Sequence, residues 1–244
     1  MVIRSLGKEG TGKEGYFHER WRTKRRFLRF LLKTIAFSSL VKIERVEGLQ
    51  NIPKTGSAIL FFNHIAFVDP IVMVYVVPRD IVPLAKIEVY DYPIIGIFPQ
   101  LWGVIPVRRE EVDRRAIKRA LDVLAAGEIL LVAPEGTRND ELQPGKEGLA
   151  YLASRSGAPV LPVMMEGTPG FPALPFSKRW RQPGVHVRFG RPFHYRPELK
   201  RAGRDLLSKM LDEAMYRLAA IIPENRRGVY SDLSRATQDT LEIL

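Results

Sequence analysis

The 244-residue chain contains no cysteine. That excludes a disulfide framework, thiol catalysis, a cysteine-ligated metal and carriage of an acyl group on a thiol of this chain. It also lacks an apolar run fit to cross a bilayer, which takes about 20 mostly apolar residues. Phe27 to Val41 is 15 residues long and is interrupted by Arg29 and Lys33. The longer stretch Ala58 to Val77 contains Asn63, His64, Asp69 and Pro70, groups that are costly in lipid. No spanning helix is expected, and residues 1–15 lack the apolar core of a secretory signal. There is no Gly-x-Ser-x-Gly elbow, and neither Ser38 nor Ser57 sits in a nucleophile motif. Gly7 to Glu14 imitates the spacing of a phosphate loop, but Glu14 stands where Ser or Thr should hold magnesium and no strand precedes it.

What is present is positive charge, placed unevenly. The formal net charge is +11, and residues 1–50 and 151–200 carry all of the excess. The middle therefore has the balance of an ordinary enzyme, while the flanks suit an acidic partner such as an anionic lipid surface, a nucleic acid or an acidic protein. In Tyr16 to Lys42, the cations Arg20, Arg22, Lys24, Arg25, Arg26, Arg29 and Lys33 alternate with Tyr16, Phe17, Trp21, Phe27, Phe30, Leu31 and Phe37. Such a segment fits a helix lying in a membrane interface, or a helix packed on its own domain with a solvated basic face.

After residue 42, short apolar runs alternate with helical periodicity. Strands are expected at Lys42–Val46, Ala58–Phe62, Ile81–Lys86, Val104–Val107, Ile129–Ala133, Val160–Met165 and Val185–Phe189. Helices are expected at Pro70–Val77, in an aromatic stretch ending near Trp102, and at Glu110–Ala126, Lys146–Ser156 and Arg201–Ile222. In the third of these, Val112, Ala116, Ile117, Ala120 and Leu121 lie on the apolar face. The pattern predicts an α/β fold, a mostly parallel layered sheet with crossover helices, preceded by a basic amphipathic helical segment. The expected division is 1–42 for that segment, 43–222 for the α/β domain and 223–244 for a polar tail.

Ligands of such sheets bind beyond the carboxyl ends of strands. His64 leaves one strand end, and Asp69–Pro70 has the form of an N-cap followed by a proline at the first helical position. An Asp carboxylate on one imidazole nitrogen leaves the other basic, which is the base-and-orienter part of a triad. With no enzyme nucleophile in view, the pair suits a base acting on a substrate hydroxyl, in direct transfer. Pro134-Glu135-Gly136-Thr137-Arg138-Asn139 follows another strand and offers a carboxylate, a close-approach glycine and an arginine able to fork onto phosphate. Arg108 and Arg109 end a third. His18, His186 and His194 have no carboxylate cluster beside them in sequence, so no metal site is expected.

In order along the chain, His64-x4-Asp69, Gly103 to Arg109, Glu135-Gly136-Thr137-Arg138 and Val160-Leu161-Pro162-Val163 resemble the four blocks of the glycerolipid acyltransferases. The resemblance is closest to the 1-acylglycerol-3-phosphate (lysophosphatidic acid) acyltransferases and covers roughly residues 45–190. Lys86 and Lys146 look like that family too. The resemblance implies transfer of a fatty acyl group from acyl-coenzyme A or acyl-acyl carrier protein to the 2-hydroxyl of lysophosphatidic acid, without a further cofactor. It gives His64 the role of general base and Asp69 that of its orienter. It places Glu135 and Gly136 against the glycerol, and Arg138 and Arg109 on its phosphate, with Thr137, Arg108, Lys86 and Lys146 as further substrate contacts. Arg108 stands where Asp or Asn is common.

The resemblance also implies an anionic membrane surface as partner rather than nucleic acid, met peripherally at the cytoplasmic face. Gly170 to Phe176, followed by Lys178 to Arg181, is a candidate for dipping into that interface. Ile94, Ile95, Ile97, Phe98, Leu101 and Trp102 are expected either to wall an acyl channel or to form ordinary core. Other acceptors, such as glycerol 3-phosphate or another lysolipid, and a non-catalytic basic membrane- or nucleic-acid-binding module, are the alternatives.

Overall fold

The computed structural model describes residues 19–36, 40–93, 96–108 and 112–244. Arg109, His18, Ile94, Ile95, Phe37 and the Gly7–Glu14 stretch lie outside them. Among the described residues, nine strands form one mixed sheet: β1 (Ile43–Glu47), β2 (Ala58–Phe62), β3 (Ile81–Lys86), β4 (Ile105–Val107), β5 (Ile129–Val132), β6 (Val160–Glu166), β7 (Val185–Phe189), β8 (Phe193–Tyr195) and β9 (Leu241–Ile243). The order is β1-β7-β6-β2-β5-β3-β4, with β8 pairing β6 and β9 pairing β8. The pairs from β6 through β2, β5 and β3 to β4 are parallel, as is β1 with β7, while β7 and β8 run antiparallel to β6.

Strand period 2 sorts the core into two layers. In β2, Ile59 and Phe61 join one cluster and Ala58, Leu60 and Phe62 the other; β5 divides its Leu130 and Val132 from Ile129 and Leu131 in the same way. Burial on both faces is why these central strands read as unbroken apolar runs. Helices α4 (Arg114–Ala125), α5 (Gly148–Ser156) and α6 (Arg204–Ala219) cover the first face. Helices α1 (Glu19–Leu31), α2 (Asp69–Val76) and α3 (Ile97–Trp102) lie on the second.

Two expectations need correction, and one open alternative is resolved. Asp113 caps α4, its carboxylate accepting from the Arg115 and Ala116 main-chain N–H groups. The helix therefore starts later than its periodicity suggested, and Val112 lies outside it at 77% exposure. Residues 223–244 are not a bare tail. Buried Glu213 accepts from Thr237, Asp239 and Thr240 and draws the segment back, so that Leu241 and Tyr230 join the core and β9 joins the sheet. Of the expected channel walls, Trp102 is wholly buried core that stacks on Phe98 and donates to the Ile81 carbonyl, while Ile97 and Leu101 stand half in solvent.

The basic segment does two things at once. Along α1, buried Arg25 donates to the Trp102 carbonyl, and Arg29 donates to the carbonyls of Val77 and Arg79 and to Asp80 Oδ1 at 3.0 Å. Burial pulls the Arg29 guanidinium below its ordinary value, against the raising effect of Asp80. Phe27 and Phe30 point outward, more than half exposed. No helix among the described residues is long and apolar enough to cross a membrane.

Gly103 makes this packing possible. It ends α3 at φ +77°, and a Cβ there would fall 2.6 Å from the Trp21 ring. Gly103→Ala is expected to lower unfolding stability by about 1–3 kcal/mol through strain and displacement of α1. A denaturant midpoint equal to that of the wild type would contradict the close approach.

Candidate active site

Strand register assembles the site. Phe61 of β2 pairs with Val132 of β5, so His64 and Glu135, each three residues further on, emerge side by side from the carboxyl edge. Lys86 pairs with Val107, which puts Lys86 and Arg108 at the same edge through β3 and β4.

His64 Nδ1 lies 2.8 Å from Asp69 Oδ2, and the main-chain N–H groups of Ile65 and Ala66 donate to that same oxygen, each at 2.8 Å. Asp69 is fully buried. Its carboxylate thus points back into the turn between β2 and α2 rather than forward as a cap on α2. The expectation of an N-cap gave the helix start but the wrong direction for the side chain. An oxygen already receiving two N–H bonds is an acceptor, so in a neutral imidazole Nδ1 is the nitrogen that donates and Nε2 the one with the lone pair. Among the described residues, buried Asp69 Oδ1 has no hydrogen-bond partner.

Two asparagines hold the loop from either side. Asn63 bridges to β6, donating to the Met165 carbonyl and accepting from the Met165 N–H, as a neighbouring strand would. The Asn139 main-chain N–H donates to the His64 carbonyl at 2.9 Å, and its side chain donates to Glu135 Oε2 at 3.0 Å. Neither was singled out from the sequence. Asn139 stands beside a motif that was, whereas Asn63 has no signal short of the β2–β6 pairing itself.

Glu135 is buried, at 6% exposure, and Oε2 also accepts from the Gln143 N–H. Burial raises its carboxyl above the ordinary value, opposed by the bonds from Gln143 and Asn139 and by the nearby His64. The native state therefore binds this proton more tightly than the unfolded chain. The resulting stability is complete below the usual carboxylate range and is lost as pH rises through the raised value. Glu135→Gln is expected to flatten that part of the stability–pH curve. An unchanged slope would contradict the cause.

Gly136 sits at φ +74°, and a Cβ on it would press on the Lys146 chain at 3.2 Å. Lys146 is tied into the same loop by its main-chain bond to the Pro134 carbonyl. Thr137, Arg138, Lys146 and Arg108 are exposed. Lys86 also reaches the edge, but its ammonium pairs with Glu88 at 3.0 Å. Among the described residues, no group of three or more His, Asp or Glu side chains is placed to hold a metal ion.

A cavity of about 730 Å³ opens between the edge and helices α4 and α5. Pro134, Gly136, Arg108 and Lys146 stand at its polar end, and Leu84, Val107, Ile117, Leu121, Leu149 and Leu152 line its apolar length. It lies on the opposite face of the sheet from α3. His64 is not part of its wall; Glu135, between Pro134 and Gly136, links the cavity rim to the His64 loop.

The Acyltransferase family profile matches residues 44–166, just over half of the chain. A 1-acyl-sn-glycerol-3-phosphate acyltransferase of Borreliella burgdorferi is 34% identical over 130 residues, covering 52% of this chain and 52% of that protein. One of Bacillus subtilis is 32% identical over 124 residues, covering 50% of this chain and 62% of the relative. The chain thus spans about half the length of the curated relatives it matches. The crystal structure of the 1-acyl-sn-glycerophosphate (LPA) acyltransferase, PlsC, from Thermotoga maritima superposes with a TM-score of 0.56 and 23% identity over 97% of this chain and 88% of that one, a likeness of fold. The His64–Asp69 pair, the Glu135 loop and the strand that Asn63 grips all lie within the matched stretch, and the chain belongs to the Acyltransferase family.

Proposed function

We propose that the chain transfers a fatty acyl group from an acyl thioester, of coenzyme A or acyl carrier protein, to the 2-hydroxyl of lysophosphatidic acid, giving phosphatidic acid. The observation that carries this reading is the 2.8 Å contact of His64 Nδ1 with buried Asp69, which leaves Nε2 as a base at the edge of the sheet. Nε2 takes the hydroxyl proton as the acceptor oxygen attacks the thioester carbonyl, and the imidazolium, held by Asp69, returns the proton to the departing thiolate. No covalent enzyme intermediate is needed.

Arg108, Arg109, Arg138, Lys146 and Lys86 are the groups for the acceptor phosphate, with Arg138 free to use the bidentate geometry phosphate favours. Gly136 and Thr137 adjoin the glycerol. Glu135, whose Oε2 is engaged by Asn139 and Gln143, serves chiefly to brace that loop against His64. The cavity takes the acyl chain, its volume falling in the ordinary range for ligand sites of about 300–1,000 Å³. Phe27 and Phe30 on the outer face of α1, with exposed Arg22, Lys24 and Arg26 beside them, suit an anionic membrane surface.

The test is thiol release by purified protein with lysophosphatidic acid, glycerol 3-phosphate or other lysolipids, and with product identified by mass. Phosphatidic acid formed only with lysophosphatidic acid is the expected result. Release with a different acceptor alone would reassign the substrate, and none with any would leave a binding module. The acyl placement has its own test. Leu121→Phe, filling the cavity, is expected to lower kcat/KM for a long-chain donor about tenfold while sparing a short-chain one. Equal effects on both would move the acyl chain elsewhere.

A further inference from the structure

The loop from 167 to 184, which joins β6 to β7, is tied down at its base by hydrogen bonds and carries two largely exposed apolar side chains at its tip. Arg179 ties its base together, donating from Nε to the Pro169 carbonyl at 2.7 Å, from one terminal nitrogen to Pro183 at 2.8 Å and from the other to Gly167. Its guanidinium lies 3.9 Å over the Phe171 ring, and Phe171 is buried. Trp180 Nε1 donates to the Ala173 carbonyl, and the Ala173 N–H donates to the Leu40 carbonyl, which fixes the loop to the chain entering β1. From this base the tip carries Leu174 at 69% exposure and Phe176 at 92%.

Phe176 also has φ +69°, the left-handed region that a bulky non-glycine residue rarely occupies. Such a conformation persists where its surroundings impose it. Here no packing of the ring within the protein repays it. The charges beside the tip have one sign. Lys178 and Arg181 are exposed, and residues 167–184 contain no Asp or Glu. Because β2 and β6 are parallel, the loop leaves the same edge of the sheet as His64, where Phe67 is also partly exposed.

We propose that Leu174 and Phe176 enter the surface of an anionic lipid bilayer, with Lys178 and Arg181 on its headgroup phosphates. This is a second membrane contact, separate from α1 and placed at the catalytic edge. Apolar side chains on a hydrogen-bonded loop, followed in the chain by cations, gain from burial in the acyl boundary and from the negative surface potential together. The contact would hold the His64 edge against the surface from which a lysolipid acceptor comes, and it rests on the acyltransferase reading for that consequence alone.

The absence of cysteine makes the test direct, since a single introduced thiol takes an environment-sensitive fluorophore. Phe176→Cys, Phe27→Cys and Thr55→Cys place the label on the loop, on α1 and at the opposite, amino edge of β2. With vesicles of phosphatidylcholine and phosphatidylglycerol, labels at 176 and 27 are expected to shift to the blue and the label at 55 to stay unchanged. A label at 176 that behaves like the one at 55 would overturn the proposal, with α1 still on the membrane if 27 responds. An equal response at 176 to phosphatidylcholine alone would overturn the role given to Lys178 and Arg181. The double variant Leu174→Ser, Phe176→Ser is expected to weaken vesicle partition about tenfold or more and to leave turnover of a dispersed short-chain lysophosphatidic acid unchanged. Undiminished partition would overturn the loop contact. Lack of turnover by the wild type on that dispersed acceptor would instead count against the proposed reaction, which keeps the two failures apart.

Discussion

His64→Ala is expected to lower turnover by about 10²–10⁴-fold or more while leaving the fold as stable as the wild type. The loss follows if His64 is the base that takes the acceptor's proton, as proposed. The preserved fold follows from how the loop is held: by main-chain bonds to Asn139 and by the Asn63 bridge to Met165, neither of which involves the imidazole. Asp69 keeps its two main-chain donors as well. Acceptor KM should change little, because the groups proposed for the phosphate and glycerol lie on other loops. Steady-state kinetics beside a thermal melt checks both halves, and near-normal turnover would remove His64 from the role of base.

Asp69→Asn should differ from His64→Ala in a diagnostic way. A neutral amide can accept from Ile65 and Ala66 but cannot stabilise an imidazolium, so turnover is expected to fall about 10²–10⁴-fold. In addition, the amide nitrogen would occupy the buried Oδ1 position, where no partner waits. An unsatisfied buried donor costs about 1–3 kcal/mol, so this variant should also be less stable. The double variant should be scarcely slower than the worse single one, since the two residues act as a unit. Additive losses would show that they serve separate steps. Intact stability in Asp69→Asn would show that a donor at the Oδ1 position does find a partner.

Much of this site was legible from residue types and strand ends. His64 and Glu135 each follow an unbroken apolar run, the mark of a central parallel strand, and ligand loops lie past the carboxyl ends of such strands. The apolar periodicity of α4 named its buried side through Ala116 and Ala120. It overran at the start because Val112 is apolar without being helical, and only the Asp113 bonds to Arg115 and Ala116 define the end. The direction of the Asp69 carboxylate was not legible, since Asp before Pro has the same appearance whether it caps forward or reaches back.

Long-range satisfaction of buried polar groups was equally out of reach. Asn63 with Met165, and Glu213 with the segment around Thr240, are pairings that only the folded chain creates. The aromatic stretch around Trp102 reads equally as channel wall or as core, and Trp102 is core. The Trp102 carbonyl and ring nitrogen are engaged by Arg25 and the Ile81 carbonyl, and the open volume lies on the other face, lined by small and branched residues that include Ala116, Ile117, Ala120 and Leu121 of α4 and Leu149 and Leu152 of α5.

Direct transfer from donor to acceptor is the claim on which the roles of His64 and Asp69 depend, and rapid mixing tests it. Purified protein in excess over acyl thioester, without acceptor, is followed for thiol release and for a mass increase of the protein by one acyl group. Release is expected to be negligible and the protein mass unchanged until lysophosphatidic acid is added, whereupon thiol and phosphatidic acid should appear together. A stoichiometric burst of thiol with an acylated protein, before any acceptor is present, would contradict the claim and require a nucleophile that His64 activates within the chain.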